Sequence, residues 1–430
     1  MLRSPIENRA LRGRRSPIGN PDENRRFDTR AVHSGERRGR RLDESNGRGD
    51  FYPVSTPIYA STTFSHPDIQ TTDRVLGGEE PGYSYARYDN PTVRAFEDAV
   101  GSLEGLRGEA RAFAFGSGMA ATHAALAATE LTSGATALAA EQLYGSTATL
   151  LVQVFGANGV ETRFVDAYDL GLVEKKVAEL KPRAVMVETI SNPLLRVADI
   201  EGLAEITRPA GAALIVDNTF GTPYLQRPLD LGADIVVHSA TKYLSGHGDL
   251  TAGVVVAGPP YDAAVESLRK LVGGVLGPFE AWLAHRGLKT LSLRMERQCA
   301  NAREIAARLQ AHPRISKVNH PSLQDHPDRE TTGRALSDTG GLVSFELAVD
   351  PEEGRDAAFR FLNALDLCVK APSLGDVYTL AIHPATSSHR ELSPSRRGRL
   401  GVRENLVRLS VGIEHPEDIA ADLEQALDRF

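Results

Sequence analysis

Cysteine is scarce in this sequence, with only Cys299 and Cys368 among 430 residues. Two cysteines cannot form a disulfide framework, so the sequence predicts a protein of the reducing cytoplasm. Long hydrophobic runs are also absent. Because no stretch approaches the roughly 18 apolar residues of a membrane helix, we expect no membrane contact. The 12 histidines show no spacing with cysteine or carboxylates that is typical of a metal site, so no metal is expected.

An excess of positive charge is absent from the chain as a whole but present at its start. The formal net charge of −7 argues against nucleic-acid binding by the whole protein. Residues 1–48 nevertheless contain 13 arginines, no lysine and 7 acids. Residues 1–26 lack apolar periodicity and predict a disordered Arg-rich extension, with a nucleic-acid-binding arm as the alternative. They lack the apolar core of a secretory signal.

Strands and helices alternate through the middle of the sequence. Apolar, β-branched runs predict strands at residues 183–189, 212–219 and 234–237, and helical patterns lie between strands. This alternation is typical of βαβ units and a mostly parallel sheet, which binds ligands at the carboxyl ends of its strands. The long amphipathic stretch 288–309 predicts a helix between this domain and a C-terminal one, in which residues 341–347 predict a further strand.

A glycine-containing turn, Gly116-Ser117-Gly118-Met119-Ala120-Ala121, lies between a predicted strand (110–115) and a predicted helix. The free N–H groups at the start of such a helix, including those of Gly118 and Met119, suit an anion. The same residues match the pattern GxGxxA, and Glu141 follows after another apolar run. A Rossmann-type nucleotide-binding site is therefore an alternative.

A lysine follows the strand predicted at 234–237, in the sequence Ser239-Ala240-Thr241-Lys242. The hydroxyl groups of Ser239 and Thr241 can bind a phosphate, and a lysine partly removed from water is an amine nucleophile for an aldehyde. Asp217 ends the preceding predicted strand, so we expect it at the same edge of the sheet as Lys242. A surface lysine and a helix-capping carboxylate are the structural alternatives.

A tyrosine-rich stretch contains Tyr85 and Arg87 and ends at Asn90-Pro91. An arginine and a tyrosine hydroxyl together suit a phosphate, although a structural loop is the alternative. The Asn-Pro pair predicts a turn, and Thr92 is predicted to cap the helix that follows.

Two further side chains suit a planar ring and an anion. Tyr144 precedes a glycine and can place its ring over a heterocycle, with a packed core tyrosine as the alternative. Arg408 lies inside an apolar strand predicted at 406–411. A buried arginine needs an anionic partner, which is either structural or a substrate carboxylate.

Nine stretches, in this order, resemble one family. They are FDTRAVHSG (27–35), YSYARYDNPT (83–92), GSGMAA (116–121), LYGST (143–147), ETISNPLLRVADI (188–200), VDNTFGTPYLQRPLDLGADIVVHSATKYLSGHGDLTAG (216–253), RGLKTLSLRM (286–295), SLGD (373–376) and LVRLSVGIE (406–414). The set resembles the pyridoxal-phosphate (PLP)-dependent Cys/Met metabolism, or trans-sulfuration, enzymes over about residues 27–430. The resemblance implies an aspartate-aminotransferase-like α/β fold (PLP fold type I), with a mostly parallel sheet domain and a smaller α+β C-terminal domain.

The resemblance also implies a division of the chain and an assembly. The expected parts are the extension 1–26, an N-terminal arm 27–89 that contributes to a neighbouring subunit's site, a large PLP-binding domain 90–291 and a C-terminal domain 292–430. The expected assembly is a homotetramer, built as a dimer of dimers that share active sites.

The resemblance assigns roles to the candidate residues. Lys242 would bind the aldehyde of pyridoxal 5'-phosphate and later move protons, with Tyr144 stacked on the ring as a second catalytic residue and Asp217 paired with the ring nitrogen. The phosphate would be bound by Gly118, Met119, Ser239 and Thr241, and by Tyr85 and Arg87 of a neighbouring subunit. Arg408, assisted by Ser373 and Asn192, would bind the carboxylate of a small amino-acid substrate.

The implied reaction is replacement or elimination at the γ-carbon of homoserine-derived or sulfur amino acids, of the cystathionine γ-synthase or cystathionine γ-lyase type. Methionine γ-lyase and O-acetylhomoserine sulfhydrylase are alternatives. Ser146 stands where methionine γ-lyases typically carry cysteine, Pro372 where cystathionine-handling members often carry glutamate, and Arg269-Lys270 where some members have Lys-Asp. A non-catalytic relative is a further alternative, against which the retention of Lys242 and Asp217 argues.

Overall fold

The computed structural model describes residues 25–36, 53–105 and 110–429. Apart from Arg25 and Arg26, the predicted extension 1–26 therefore lies outside the described residues. Within these ranges, every helix is too short or too polar to span a lipid bilayer.

Two sheets organise the described chain. The strands are β1 (Arg111–Phe115), β2 (Thr136–Ala140), β3 (Glu161–Val165), β4 (Ala184–Glu188), β5 (Ala213–Asp217), β6 (Ile235–Ser239), β7 (Gly253–Ala257), β8 (Ile315–Asn319), β9 (Leu342–Leu347), β10 (Val369–Lys370), β11 (Leu380–Ile382) and β12 (Leu406–Ser410). The larger sheet has the order β1-β7-β6-β5-β4-β2-β3, and the smaller has the order β10-β11-β12-β9-β8.

The larger sheet is mostly parallel, as the sequence predicts. Strands β3, β2, β4, β5 and β6 pair in parallel, whereas β7 is antiparallel to both β6 and β1. The connection from β6 to β7 contains turns and bends but no crossover helix. A chain that returns without a crossover can pair only antiparallel, which explains the reversed strand.

Helices cover both sheets. They are α1 (Phe27–His33), α2 (Ile69–Leu76), α3 (Pro91–Leu103), α4 (Gly118–Ala128), α5 (Gly145–Thr149), α6 (Leu170–Leu180), α7 (Ile200–Thr207), α8 (Thr222–Leu225), α9 (Tyr261–Val272), α10 (Pro278–Leu288), α11 (Leu291–Ala311), α12 (Arg329–Ala335), α13 (Gly354–Ala364), α14 (Pro394–Arg399) and α15 (Pro416–Arg429). A π-helix (Leu150–Phe155) continues α5, and 3₁₀ turns lie at Pro228–Leu231 and Pro384–Thr386.

The cap of α3 differs from the prediction. The side chain of Asn90, not Thr92, is the N-cap, because its oxygen accepts from the backbone N–H groups of Thr92 and Val93 at 2.9 and 3.4 Å. The Thr92 hydroxyl instead donates to the carbonyl oxygen of Pro57 at 2.9 Å. Pro91 occupies the first helical turn, where its missing N–H costs nothing, so the cap lies just before it.

Buried apolar side chains fill three layers. One cluster lies between the larger sheet and helices α4, α6, α7 and α9, and a second covers the opposite face with α3, α10 and α11. A third fills the space between the smaller sheet and α11, α13 and α15. Helix α11, predicted from residues 288–309, therefore packs against both sheets.

Polar side chains of α11 fasten the segments around the smaller sheet. Gln298 donates to the carbonyl oxygen of Asp376 at 2.8 Å, and Asn301 donates to those of Gly412 and Glu414 at 3.0 and 2.9 Å. These bonds fix the segments on either side of β11 and β12 to the helix.

A buried ion pair joins three elements of the larger domain. Arg269 of α9 and Glu97 of α3 are 4% and 1% exposed and form a direct salt bridge. The Glu97 carboxylate also accepts the backbone N–H of Ala114 in β1 at 2.8 Å, and Arg269 donates to the carbonyl oxygen of Tyr88 at 3.0 Å. By contrast, the salt bridge between Lys270 and Glu266 is partly exposed.

We expect Arg269→Met to lower the free energy of unfolding by up to about 3–5 kcal/mol, because it removes the directly bonded partner of the buried Glu97 carboxylate and leaves the more distant Arg94, at 3.8 Å. Lys270→Met, the neighbouring control, should change it by no more than about 1 kcal/mol. Chemical denaturation of the two variants measures the difference. Equal losses in both variants would contradict the argument.

Candidate functional site

Adjacent strand ends form one wall of the candidate site. In the parallel pair β4–β5, Glu188 lies directly opposite Asp217, and in β5–β6 Asp217 lies opposite Val237. Ser239 is two residues beyond Val237 and therefore shares its face of the sheet. Glu188, Asp217 and Ser239 all line a cavity of about 570 Å³. This volume is in the range of pockets that hold small-molecule ligands.

The N-terminus of α4 lies beside this wall. Ser117 caps the helix by accepting the Ala120 N–H at 3.1 Å, and Ser117, Gly118 and Met119 line the cavity. A Cβ atom at Gly118 would lie 2.8 Å from the side chain of Ser239, so only glycine allows this close approach of backbone and hydroxyl. Free N–H groups and the positive end of the helix dipole suit an anion here.

Strand β7 supports the same helix terminus from below. A Cβ atom at Gly253 would lie 2.2 Å from the carbonyl oxygen of Ser117. Any side chain at this position would push the first turn of α4 away from the sheet. The position of the anion-binding turn therefore depends on the absence of a side chain in a neighbouring strand.

The Lys242 amine lies at the centre of the cavity wall. Its Nζ atom donates to the Ser373 hydroxyl at 3.1 Å. Burial lowers the pKa of the Lys242 amine below its usual value and the Arg408 charge lowers it further, while Asp376 opposes the shift. A lowered pKa increases the fraction of neutral amine, which is the form that acts as a nucleophile or base.

The Arg408 guanidinium is almost completely buried, at 3% exposure. It donates to the Asn192 side-chain oxygen at 2.8 Å and to the Ser373 carbonyl oxygen at 3.0 Å, both uncharged acceptors. Its Nε atom is buried and has no hydrogen-bond partner among the described residues. Burial lowers the pKa of Arg408 to about 10. A buried cation of this kind is suited to a carboxylate ligand.

Two carboxyl groups share the sheet end. Burial raises the pKa of Asp217, although the Thr219 N–H, which donates to it at 2.9 Å, and the charge of His238 oppose the shift. Burial also raises the pKa of Glu188 well above its usual value, and the neighbouring Asp217 charge adds to the effect. The described residues contain no cluster of His, Cys, Asp and Glu arranged to hold a metal ion.

Most of the predicted site residues meet at this cavity. Those that line it are Gly118, Met119, Tyr144, Asn192, Asp217, Ser239, Thr241, Lys242, Ser373 and Arg408. The hydroxyl of Thr241 also donates to the Ala252 carbonyl oxygen at 3.2 Å, so it stabilises the turn after β6 as well as facing the cavity. Their individual roles stay predictions.

Tyr85 and Arg87 do not line the cavity of their own chain. The Arg87 guanidinium lies over the rings of Tyr85 and Tyr88, 5.6 and 4.8 Å from their centroids, and donates to the carbonyl oxygen of Lys270. The expectation that both residues reach a neighbouring subunit's site stays a prediction.

Two residues of the site were missed by the sequence reasoning. Glu188 lines the cavity, and its position at a strand end next to Asp217 is the signal that could have found it. Arg294 of α11 lies behind the wall and donates to the carbonyl oxygens of Tyr243, Leu244 and Gly287 at 2.7, 3.4 and 3.0 Å. It lies in the stretch RGLKTLSLRM (286–295), but no role was predicted for it.

A family model described as "Cys/Met metabolism PLP-dependent enzyme" matches residues 28–428. The chain belongs to this family. The L-methionine gamma-lyase of Pseudomonas putida is 42% identical over 93% of this chain and 97% of the relative. The cystathionine gamma-lyase of Bacillus subtilis is 42% identical over 88% of this chain and 95% of the relative, and the cystathionine beta-lyase of Lactococcus lactis is 39% identical over 87% and 94%.

Solved structures of family members have the same architecture. That of metB from Corynebacterium glutamicum superposes with a TM-score of 0.84 at 38% identity, covering 95% of this chain and 99% of the other. That of a cystathionine gamma-lyase from Lactobacillus plantarum, complexed with L-serine, gives 0.83 at 34%, covering 94% and 99%. The predicted family, PLP fold type I architecture and PLP cofactor are confirmed, and so is the prediction of a PLP-dependent trans-sulfuration enzyme.

The residues of the cavity fit PLP. The close approach of Gly118 to Ser239 places a helix N-terminus and a hydroxyl group next to each other at the cavity, which suits a phosphate. Lys242 supplies an amine for the aldehyde and Asp217 a carboxylate for the ring nitrogen. The unpaired Nε of Arg408 leaves room for a second anion, the carboxylate of an amino acid.

The electrostatic surroundings of Lys242 predict opposite responses to two substitutions. Asp376→Asn removes a group that raises the pKa of Lys242, so the pKa should fall further. Arg408→Met removes a cation that lowers it, so the pKa should rise. Competitive labelling of the cofactor-free protein over a range of pH, read by mass spectrometry of the Lys242 peptide, measures both shifts. Shifts in the same direction would contradict this assignment.

Proposed function

We propose that this enzyme catalyses γ-elimination from a sulfur amino acid, which cleaves the bond between the γ-carbon and sulfur. With methionine, water and the amino acid would yield 2-oxobutanoate, ammonia and methanethiol. The observation that carries the proposal is that Lys242 and Arg408 both contact Ser373. The Lys242 amine donates to the Ser373 hydroxyl, and the Arg408 guanidinium donates to the Ser373 carbonyl oxygen. The three curated relatives described above are all named as lyases.

Bound PLP supplies an electron sink that stabilises negative charge at the α-carbon of the substrate. In this proposal the N–H groups of Gly118 and Met119 and the hydroxyl of Ser239 bind its phosphate. Asp217 keeps a proton on the ring nitrogen, because a nearby carboxylate favours the cationic form. Tyr144 lies against the ring.

The other steps in this proposal depend on Lys242, Arg408 and the groups that orient them. Arg408, positioned by Asn192 and the Ser373 carbonyl, binds the substrate carboxylate and so fixes the α-carbon near Lys242. The neutral Lys242 amine then removes the α-proton, and its lowered pKa increases the fraction of amine in this form. Ser373 orients the amine through its hydroxyl. This orientation of reacting groups is the main catalytic contribution of the chain.

The lining of the cavity favours an uncharged group on the substrate sulfur. The apolar side chains of Ile190, Phe220, Pro372, Leu374 and Ile382 line it, and the carboxyl groups of the described lining residues are those of Glu188 and Asp217. The distal ammonium group of cystathionine would therefore find no further acidic partner among the described residues that line the cavity. A short thioether such as methionine suits this lining better.

The assembly and location of the enzyme also remain proposals. We place Tyr85 and Arg87 at the phosphate of a neighbouring subunit within a homotetramer, because both lie away from the cavity of their own chain. The boundary proposed between domains 90–291 and 292–430 falls at the start of α11. Both cysteines are buried and free, which supports a reducing, cytoplasmic location.

A substrate panel tests the proposed reaction. The PLP-loaded enzyme is given methionine, homocysteine, cystathionine, and O-acetyl- or O-succinylhomoserine with cysteine, each separately. We expect 2-oxobutanoate, ammonia and thiol from methionine, with kcat/KM at least about tenfold above that for cystathionine, since an unpaired buried ammonium is costly. Synthesis of cystathionine from a homoserine ester, without elimination from methionine, would overturn the proposal.

Lys242→Ala should lower kcat by at least about 10²–10⁴-fold, because it removes the amine that moves the α-proton. Borohydride should also no longer attach the cofactor covalently to the protein, while circular dichroism stays unchanged. Lys175→Ala, on the exposed face of α6, is the control and should keep full activity. Substantial turnover by Lys242→Ala would exclude this role of the lysine.

A further inference from the structure

Glu188 is the cavity residue to which the proposed mechanism gives no role. It ends β4, is 8% exposed and lies beside Asp217 in the sheet. Its Oε1 atom accepts the backbone N–H of Tyr144 at 2.6 Å, and the backbone N–H of Asn192 also donates to the carboxyl group. One side chain thus binds two of the predicted site residues, Tyr144 and Asn192, and lies beside a third, Asp217.

These contacts help to position both the residue proposed to stack on the cofactor ring and the residue proposed to bind the substrate carboxylate. Tyr144 directly precedes α5 and is 40% exposed, so its ring depends on the backbone for its position. Asn192 accepts from the Arg408 guanidinium at 2.8 Å. Glu188 therefore fixes the start of the ring-stacking segment and, through Asn192, the side chain that orients the carboxylate-binding arginine.

The charge of Glu188 is constrained by its neighbours. Asp217 of β5 and Tyr168, between β3 and α6, act on it electrostatically, and Lys242 and Arg408 line the same cavity. Two adjacent buried carboxyl groups do not both ionise readily. The N–H groups that donate to Glu188 favour its anionic form, but burial and the Asp217 charge outweigh them. Asp217 has hydrogen bonds from both the hydroxyl and the N–H of Thr219 and the charge of His238 in favour of its anionic form, and a cationic ring nitrogen would add to this. A neutral carboxylic acid still has a carbonyl oxygen for the Tyr144 N–H.

We propose that Glu188 is a positioning residue that keeps its proton, fixes Tyr144 and Asn192 by accepting their N–H groups, and leaves Asp217 as the anion that faces the ring nitrogen. The cofactor-related part of this inference rests on the proposed function. The protonation part concerns the cofactor-free protein and stands by itself.

Two substitutions separate geometry from charge. Glu188→Gln is uncharged and retains a carbonyl oxygen, so the affinity of the cofactor-free protein for PLP should stay within about threefold of wild type. Glu188→Leu has a similar volume but no acceptor, and should weaken that affinity at least about tenfold, since a buried N–H group is left unpaired. Glu346→Leu removes another buried glutamate, in the smaller sheet, and should keep wild-type PLP affinity.

A second measurement reads the proton directly. A carboxyl group whose folded pKa is raised binds a proton on folding, so its contribution to stability is lost as the pH rises through that value. Glutamine has no such loss. The quantity measured is the Tm of cofactor-free Glu188→Gln minus the Tm of the cofactor-free wild-type protein. This difference should therefore increase as the pH rises above about 4.3, the ordinary pKa of glutamate.

The outcomes are distinguishable. If Glu188→Gln binds PLP as weakly as Glu188→Leu, the proposal that Glu188 is a neutral acid is wrong. The same holds if the Tm difference between Glu188→Gln and wild type does not change with pH. Wild-type affinity and kcat/KM in Glu188→Leu would overturn the positioning role. If the wild-type protein itself binds PLP but leaves every sulfur amino acid intact, the proposed function fails, while the Tm comparison still tests the protonation of Glu188.

Discussion

The in-register pairing of β4, β5 and β6 places three strand ends side by side, and the site depends on this alignment. Because successive side chains in a strand point to opposite faces, a slip of one residue would move Asp217 or Ser239 to the wrong face of the sheet. The β-branched, fully buried interiors of these strands specify the register. The same residues that fill the core therefore place the chemistry at its edge.

The site combines buried cations with neutral acceptors. Lys242 contacts a hydroxyl, and Arg408 contacts an amide oxygen and a carbonyl oxygen. For both groups, burial shifts the pKa toward the uncharged form. A phosphate and a carboxylate would supply negative charge that the described lining residues provide only through Asp217, since we propose that Glu188 stays protonated. The protein is thus electrostatically prepared for a doubly anionic pair of ligands.

Much of this arrangement is readable from sequence, and the remainder has physical reasons for being hidden. Apolar periodicity predicts β4, β5, β6 and α11, since each has a buried face with a regular spacing. The antiparallel direction of β7 was not predicted, because the β-branched run at 253–256 indicates burial but not direction. Asn90 replaced Thr92 as the cap of α3 because both are good capping residues, and only the position of Pro91 distinguishes them.

The candidate site shows the same division. Lys242, Asp217 and Arg408 stand out because polar groups at the ends or in the middle of apolar strands are unusual. Glu188 has an equally unusual position and begins the stretch 188–200, but two of its partners are distant in sequence. Its partners Tyr144 and Asp217 are brought to it by crossovers. Contacts across a sheet depend on the register of its strands, which cannot be read from a single sequence.

Helix α11 joins two parts of the site that face each other. Through Arg294 it binds the carbonyl oxygens directly after Lys242, and through Gln298 and Asn301 it binds the segments around β11 and β12, where Arg408 lies. Its own side chains do not line the cavity. The distance between Lys242 and Arg408 therefore depends on a helix that does not itself line the cavity. Substitutions along that helix offer evolution a way to adapt the active site to longer or shorter amino acids while every ligand-contacting residue stays the same.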